Sequence, residues 1–274
     1  MRKSPTYLVV ALGVVMLFCP AGTNSQTSDA QLKGADGSGG PAPEHDLNGT
    51  WLGPGEPQLT IHVPAMTPKG LAKLKLNIPD PASVGSNDPW KTCDSFGMPR
   101  IVNNEVNNIG FATMPGRIII LENYERIWRE VWMDGRQLPK DPGGRESDYS
   151  SKWYGYSVGH WEDASTLVVE TNGMKDRSWV DRRGYPHSAS AEVIERYTRI
   201  DHNHLKMTET LNDPEYYTMP YVIAEATYKW VVAQDDPKIA AIPFADEELC
   251  ISSEMIRYNN SLVVPTKGNK ALTR

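Results

Sequence analysis

Glu192-Val193-Ile194-Glu195-Arg196-Tyr197-Thr198-Arg199-Ile200 is followed by Asp201-His202-Asn203 and then by His204-Leu205-Lys206-Met207-Thr208-Glu209-Thr210-Leu211. Two alternating runs are thus joined by three residues. Alternation of period two marks a strand with one buried face, and Asp and Asn tolerate the backbone of a tight turn, so the stretch predicts a β-hairpin. The same organisation recurs on either side. Arg117 to Asn123 pairs with Arg126 to Met133, and Gly155 to Trp161 pairs through the turn Asp163-Ala164-Ser165 with Thr166 to Thr171. A long strand from Tyr221 to Val232 closes the series. Hairpins at this spacing predict an all-β fold, an antiparallel meander closing into a barrel. No self-similarity at about 33 to 45 residues points to a propeller or solenoid.

Period two also lets the faces be read. The strand from Tyr221 has an apolar side, Val222, Ala224, Ala226, Tyr228, Trp230 and Val232, and a wet side, Glu225, Thr227 and Lys229. Other strands mix charge into apolar faces. Arg126, Trp128, Glu130 and Trp132 share one face while Ile127, Arg129 and Val131 share the other; Val193, Glu195, Tyr197 and Arg199 alternate together; Glu122 ends the run Ile118-Ile119-Ile120-Leu121. A charge buried alone costs several kcal/mol, so inward-facing charges must be paired. Glu122 or Glu195 with Arg129 or Arg196 are the natural pairs. Two readings stand: cross-strand ion pairs on a solvated face, or the polar lining of a ligand cavity.

The chain opens with Arg2 and Lys3, an apolar run from Tyr7 to Cys19, then Pro20-Ala21-Gly22 and polar residues. That is the layout of a secretory signal peptide, and the run is short of the roughly 20 residues of a spanning helix. Cleavage between Ala21 and Ser25 is expected, giving a periplasmic or secreted protein with no integral membrane segment after cleavage. Phe18 is bulky where a lipid-attachment signal wants a small residue. The formal net charge is −6, and losing Arg2 and Lys3 makes it more negative; an acidic chain is a poor partner for nucleic acid or an anionic membrane. Cys93 and Cys250 remain after cleavage. In an oxidising compartment they form either a disulfide, worth about 4 to 5 kcal/mol in the chain-entropy model, or two unpaired buried thiols.

The expected organisation is a signal peptide at 1–25, a flexible leader at 26–46, a barrel domain at 47–265 and a tail at 266–274. The leader is rich in Gly, Ser, Asp, Pro and Ala, too polar to offset its ordering entropy. The folded part begins at Asp46-Leu47-Asn48-Gly49-Thr50-Trp51. Gly-x-Trp leading into a β-meander is a lipocalin-type opening, in which the Trp plugs one end of the barrel; Arg196 or Arg257 is the expected cation against its ring. After a short alternating segment, Leu59 to Val63, Thr67 as N-cap and Pro68 at the first position predict one short helix. The Pro-, Asn- and Gly-rich stretch from Ile78 to Pro99 predicts a long irregular connection of the kind that forms lids or binding edges.

His187 lies in the loop Arg183-Gly184-Tyr185-Pro186-His187-Ser188, near Trp179 and Asp181. Loops on a rigid barrel are where acid–base groups are commonly placed, and His titrates near neutral pH. Its alternative is a loop His that caps a carbonyl. His202-Asn203-His204 spans a turn without further ligands nearby, so no metal site and no cofactor are expected. Asn48-Gly49-Thr50 and Asn259-Asn260-Ser261 match the glycosylation sequon, meaningful only in a eukaryotic source. Ser157 and Ser188 lack the context of a hydrolase elbow.

Several motifs together resemble an exported, poorly characterised bacterial family, found in acidobacterial and proteobacterial genomes. They are Asn87-Asp88-Pro89, Cys93-Asp94-Ser95-Phe96-Gly97-Met98-Pro99-Arg100, Trp128 through Arg136, Trp153 through Trp161, Gly184 through Ser188, Glu195-Arg196-Tyr197, and Asp213-Pro214 followed by Tyr217-Thr218-Met219-Pro220. The resemblance spans the chain from about Asp46 and carries no established activity. Glu162-Asp163-Ala164-Ser165 departs from the Glu-Gly-Asp turn the family would lead one to expect, so that turn holds no essential group.

The expectation is therefore a lipocalin-like barrel that captures a small, partly apolar or aromatic molecule. Trp128, Trp132, Trp161 and Tyr197 are the candidate walls, and Arg129, Glu195 and Arg196 the polar anchors. The alternative is a cofactor-independent lyase, hydratase or isomerase using the same cavity, with His187 as acid or base and Glu122, Asp134 or Glu195 orienting it. A third class, an envelope protein with a solid barrel, would carry its ion pairs outside.

Overall fold

The computed structural model describes residues 39–54, 59–79, 86–103, 108–122, 125, 127–140 and 152–231. The expected signal segment, Cys250, Arg257, the second sequon and the tail lie outside the described residues. Among the described residues nine strands follow in chain order: β1 (Gly49–Leu52), β2 (Asn108–Met114), β3 (Arg117–Glu122), β4 (Ile127–Trp132), β5 (Tyr156–Trp161), β6 (Thr166–Asn172), β7 (Glu192–Arg199), β8 (His204–Asn212) and β9 (Tyr221–Val231). Each pairs with the next and β9 pairs with β1, so the sheet closes into a barrel. Closure leaves no strand edge open to another chain.

The meander is antiparallel with one exception. β4 and β5 run parallel, through Val131↔Ser157 and Trp132↔Val158, which corrects the uniform antiparallel expectation. The physical reason is the connection: a tight hairpin can only reverse the chain, whereas the long stretch from Met133 to Gly155 can carry it back to the same end. Gly159 permits the close approach, since a Cβ there would meet Val131 Cγ1 at 2.7 Å and Met133 Sδ at 2.8 Å.

Two strand readings also change. β2 was not anticipated, because Gly110 and Ala112 blur its alternation, while the segment at Leu59 makes only an isolated bridge to Ala224. In β9 the register slips at the Glu209/Thr210 step, where Glu209 faces Ala224 and Thr210 faces Val222. A bulge inverts the phase of a strand. Val222 is consequently exposed rather than core, and Tyr221 and Ile223 are buried with Ala224, Ala226 and Tyr228.

Helix α1 (Pro68–Leu74) starts where expected: the Thr67 Oγ1 accepts from the Gly70 N–H at 3.1 Å with Pro68 in the first turn. A 3-10 turn at Pro89–Thr92 precedes α2 (Arg100–Asn103), and Phe96 and Met98 of this irregular connection are buried in the core beside Ile101 and Val102 of α2. The connection is thus partly internal. At one end of the barrel Trp51 is fully buried and its Nε1–H donates to Leu47 O at 2.9 Å. The cation over its ring is Arg199, at 4.9 Å, rather than Arg196. Arg199 shares the inward phase of β7 with Glu195 and Tyr197, whereas Arg196 is out of phase with them. Arg199 also donates to Asp46 O at 2.7 Å and His202 O at 2.7 Å, tying the strand entrance to the β7–β8 turn. Gly49, at φ 118°, is needed there: a Cβ would sit 2.7 Å from Trp230 Nε1.

Candidate functional site

Four strands bring a charged cluster into the barrel interior. Arg129 of β4 donates from Nη1 to Glu195 Oε2 at 2.9 Å and from Nη2 to Glu195 Oε1 at 2.8 Å, a two-pronged pairing with β7. It also donates from Nε and Nη2 to Glu122 Oε1 of β3, at 3.2 and 3.0 Å. Tyr197 O–H donates to Glu195 Oε1 at 3.1 Å. All four side chains are buried. Paired Arg–carboxylate forks are the strong form of this contact, and burial makes losing either partner costly. Directly across from Glu195, on β8, stands Glu209, which accepts from Asn103 Nδ2 of α2 at 2.8 Å. Both of these residues are completely buried.

The electrostatics follow from desolvation. Burial raises the Glu122 carboxyl to about 7; Arg129 pulls it down and Glu195 pushes it up. Glu209 is held well above the carboxylate range, again chiefly by burial, with Asn103 opposing and Glu195 adding. Burial disfavours the Arg129 charge, yet Glu195 and Glu122 more than compensate, and the guanidinium holds its proton more tightly than a free one. The hydroxyls of Tyr197 and Tyr228 are pushed up by burial and then by Glu195 and Glu122 respectively. The interior therefore holds one firm cation, two neutral phenols and three carboxyl groups that cannot all be charged without cost.

Of the residues expected to form the site, Glu122, Arg129, Glu195 and Tyr197 come together. The tryptophans do not join them. Trp128 is 71% exposed, and Trp132 lies on the same outward phase of β4, between Arg117 at 4.9 Å and Arg136 at 3.8 Å. Strand alternation forces this, because residues 128 and 132 cannot share a face with 129. Arg196 is likewise outside, loosely paired with Glu162 at 3.4 Å. Trp161 pairs in register with Leu167, on the inward phase but at the strand end, where His45 stacks on it at 4.8 Å. Asp134 sits in an exposed turn and is occupied by Arg136, whose side chain holds its carboxyl below the usual range.

His187 is enclosed within its loop. It is fully buried, with Nδ1–H donating to Ser188 O at 3.0 Å and Nε2 2.8 Å from Ser178 Oγ. A carbonyl can only accept, so Nδ1 carries the hydrogen, and Nε2 of the neutral ring accepts from Ser178. Burial lowers its pKa, which keeps it neutral. The neighbouring Ser188 donates from N–H and O–H to Asp213 at 2.7 and 2.8 Å, and Tyr217 O–H reaches Pro186 O at 2.7 Å. These bonds pin the loop to the chain after β8.

Sequence reasoning passed over Glu209, Tyr228 and Asn103 as site residues. Glu209 alternates with Leu205, Met207 and Leu211 and could have been read as inward by the rule that exposed Glu195. Tyr228 was legible as core, and Asn103 carried no signal. Among the described residues no group of three or more His, Cys, Asp and Glu is arranged to hold a metal ion. Comparison with protein-family models, curated proteins and solved structures finds no match.

Proposed function

We propose that this is an exported barrel protein that captures a small, partly apolar or aromatic molecule in its interior. The observation that carries the reading is the buried Arg129–Glu195–Glu122 cluster inside a closed sheet. Replacing such a cluster by apolar residues is often neutral or stabilising for a fold, so its place in the interior argues for a use beyond holding the barrel together. Around it stand aromatic walls: Tyr197 packs edge-on against Phe111 at 5.1 Å, and Tyr228 lies in the field of the same carboxyls. Placed polar groups amid apolar walls are the ordinary composition of a small-molecule site. The apolar opening segment and the family resemblance support export to the periplasm or beyond. Mass spectrometry of the purified protein under native and then denaturing conditions tests the reading. A small organic molecule released on denaturation is expected; its absence, together with no thermal stabilisation by any member of an aromatic fragment library, refutes capture.

One observation favours a second reading, an acid–base enzyme. The Glu122 carboxyl is poised near pH 7, where a general acid or base works best, and it is bonded to a fixed cation. The hydrogen bonds of His187 and Asp134 go to other partners, Ser178 and Ser188 for the one and Arg136 for the other. The captured molecule, incubated in D2O with the protein, should then exchange a C–H proton with wild type and not with Glu122→Gln; equal exchange rates rule the reading out.

A further inference from the structure

Among the buried side-chain oxygens of the described residues that lack a partner, two belong to residues bonded to each other. Asn103 Oδ1 and Glu209 Oε1 are buried side-chain atoms without a hydrogen-bond partner, and their residues are bonded to one another through Asn103 Nδ2 and Glu209 Oε2. The amide orientation is fixed by its surroundings. Asn103 Nδ2 faces three acceptors, Glu209 Oε2 at 2.8 Å, Val180 O at 3.0 Å and Pro99 O at 3.3 Å, so a flip would set Oδ1 against oxygens. Buried polar atoms in native proteins are nearly always partnered; in the carboxylate form of Glu209 both of these adjacent orphans are acceptors, and what satisfies them is a group with at least two hydrogens to give.

Charge selects among such groups. Glu122, Glu195 and Glu209 face a single guanidinium, and the side-chain hydrogen bonds of Arg129 go to Glu122 and Glu195. Glu209 therefore has an amide partner where its neighbours have a cation. An anionic ligand would add to the excess of carboxyls, and a hydroxyl supplies one hydrogen for two acceptors. A protonated amine supplies up to three hydrogens and the charge. Resting on the capture reading, we propose that Glu209 and Asn103 form an amine-recognition subsite, and that the captured molecule joins a basic nitrogen to an apolar or aromatic body. Phe111, Tyr197, Met207 and Tyr228 are the apolar surface on the inward phases of the flanking strands.

Binding is coupled to protons. The groups in the field of Glu209 are Glu195 on β7, Glu122 on β3, Arg129 on β4, Tyr228 on β9 and the neutral Asn103 on α2. Burial pushes the Glu209 carboxyl well above its ordinary range, so an arriving ammonium, which favours the carboxylate, promotes release of a proton. Amine affinity then rises with pH, by up to about tenfold per pH unit for one proton released, while the pH stays below the amine's own pKa, near 10 for an alkyl ammonium.

Isothermal titration of the purified protein with 2-phenylethylamine, 2-phenylethanol and phenylacetate tests this. The amine should bind at least about tenfold more tightly than the alcohol, a difference of the size expected of one charge-assisted contact. It should also release a proton, seen as a heat that varies with the ionisation enthalpy of the buffer. Glu209→Gln should abolish both the preference and the proton release while alcohol binding is retained. Should Glu209→Gln fail to fold, the wild-type affinities for the amine against the alcohol decide alone. Equal affinity for amine and alcohol, a preference for phenylacetate, or a pH-independent amine affinity overturns the amine subsite and leaves capture standing. A co-purified molecule without a basic nitrogen does the same. Failure of all three probes to bind, with nothing co-purified and no stabilisation by the aromatic fragment library, overturns both.

Discussion

Stability should fall as pH rises through the range in which Glu122 ionises, and Glu122→Gln should remove that part of the fall. Burial lifts this carboxyl from its ordinary 4.5 to about 7 against the pull of Arg129. A carboxyl whose folded value lies above its unfolded one binds its proton more tightly in the folded chain. The stabilisation it contributes is therefore complete below 4.5, declines across the interval and is lost above about 7. At about 1.4 kcal/mol per pH unit, the interval corresponds to on the order of 3 kcal/mol, a large fraction of the ~5–15 kcal/mol that holds a typical domain together. Urea unfolding followed by tryptophan fluorescence at pH 5 and pH 8 gives the two stabilities for each protein. The drop from pH 5 to pH 8 should be smaller in Glu122→Gln by on the order of 3 kcal/mol. Glu209 is raised chiefly by burial in both proteins, and the push it receives from Glu122 is the last of its contributions. Gln keeps an oxygen that accepts from Arg129, so the cluster is not left open. Two pH profiles offset by a constant would mean that Glu122 stays a carboxylate throughout, paired with Arg129, and would refute the reasoning.

Arg129→Met leaves Glu122 and Glu195 buried without their cation, and should cost about 3–5 kcal/mol at pH 7; adding Glu195→Gln should restore part of it in the same denaturation assay, and a loss below 1 kcal/mol would contradict the buried pairing. Trp51→Ala should cost about 3–5 kcal/mol, as for a fully buried aromatic, and Arg199→Met about 1–2 kcal/mol from the lost stacking; unchanged unfolding midpoints would place the ring outside the barrel. Cys93 and Cys250 are expected to be linked in the exported protein, so alkylation without reductant should leave the intact mass unchanged, and two labelled thiols would remove the link.

Alternation alone determined much of this protein. The hairpins on either side of Asp163-Ala164-Ser165 and Asp201-His202-Asn203, the helix after Thr67 and the delivery of Trp51 after Gly49 are local events, governed by period two and by turn and cap chemistry over a few residues. The same rule held more than was first taken from it, for once Arg129 points inward, Trp128 and Trp132 must point out, as Arg196 must once Glu195 and Tyr197 point in. Which parity faces the interior is another matter. Both faces of β4 mix charge with apolar residues, so the choice was made by partners far away in sequence: Glu122 and Glu195 together accept every hydrogen bond that Arg129 donates. The parallel pairing of β4 with β5, the bulge that turns Val222 outward, the seating of Asn103 against Glu209 and the burial of His187 likewise depend on long-range closure of the sheet. A linear pattern specifies the phase of each strand; only the closed barrel decides which groups meet, because desolvation and charge pairing act through space and not along the chain.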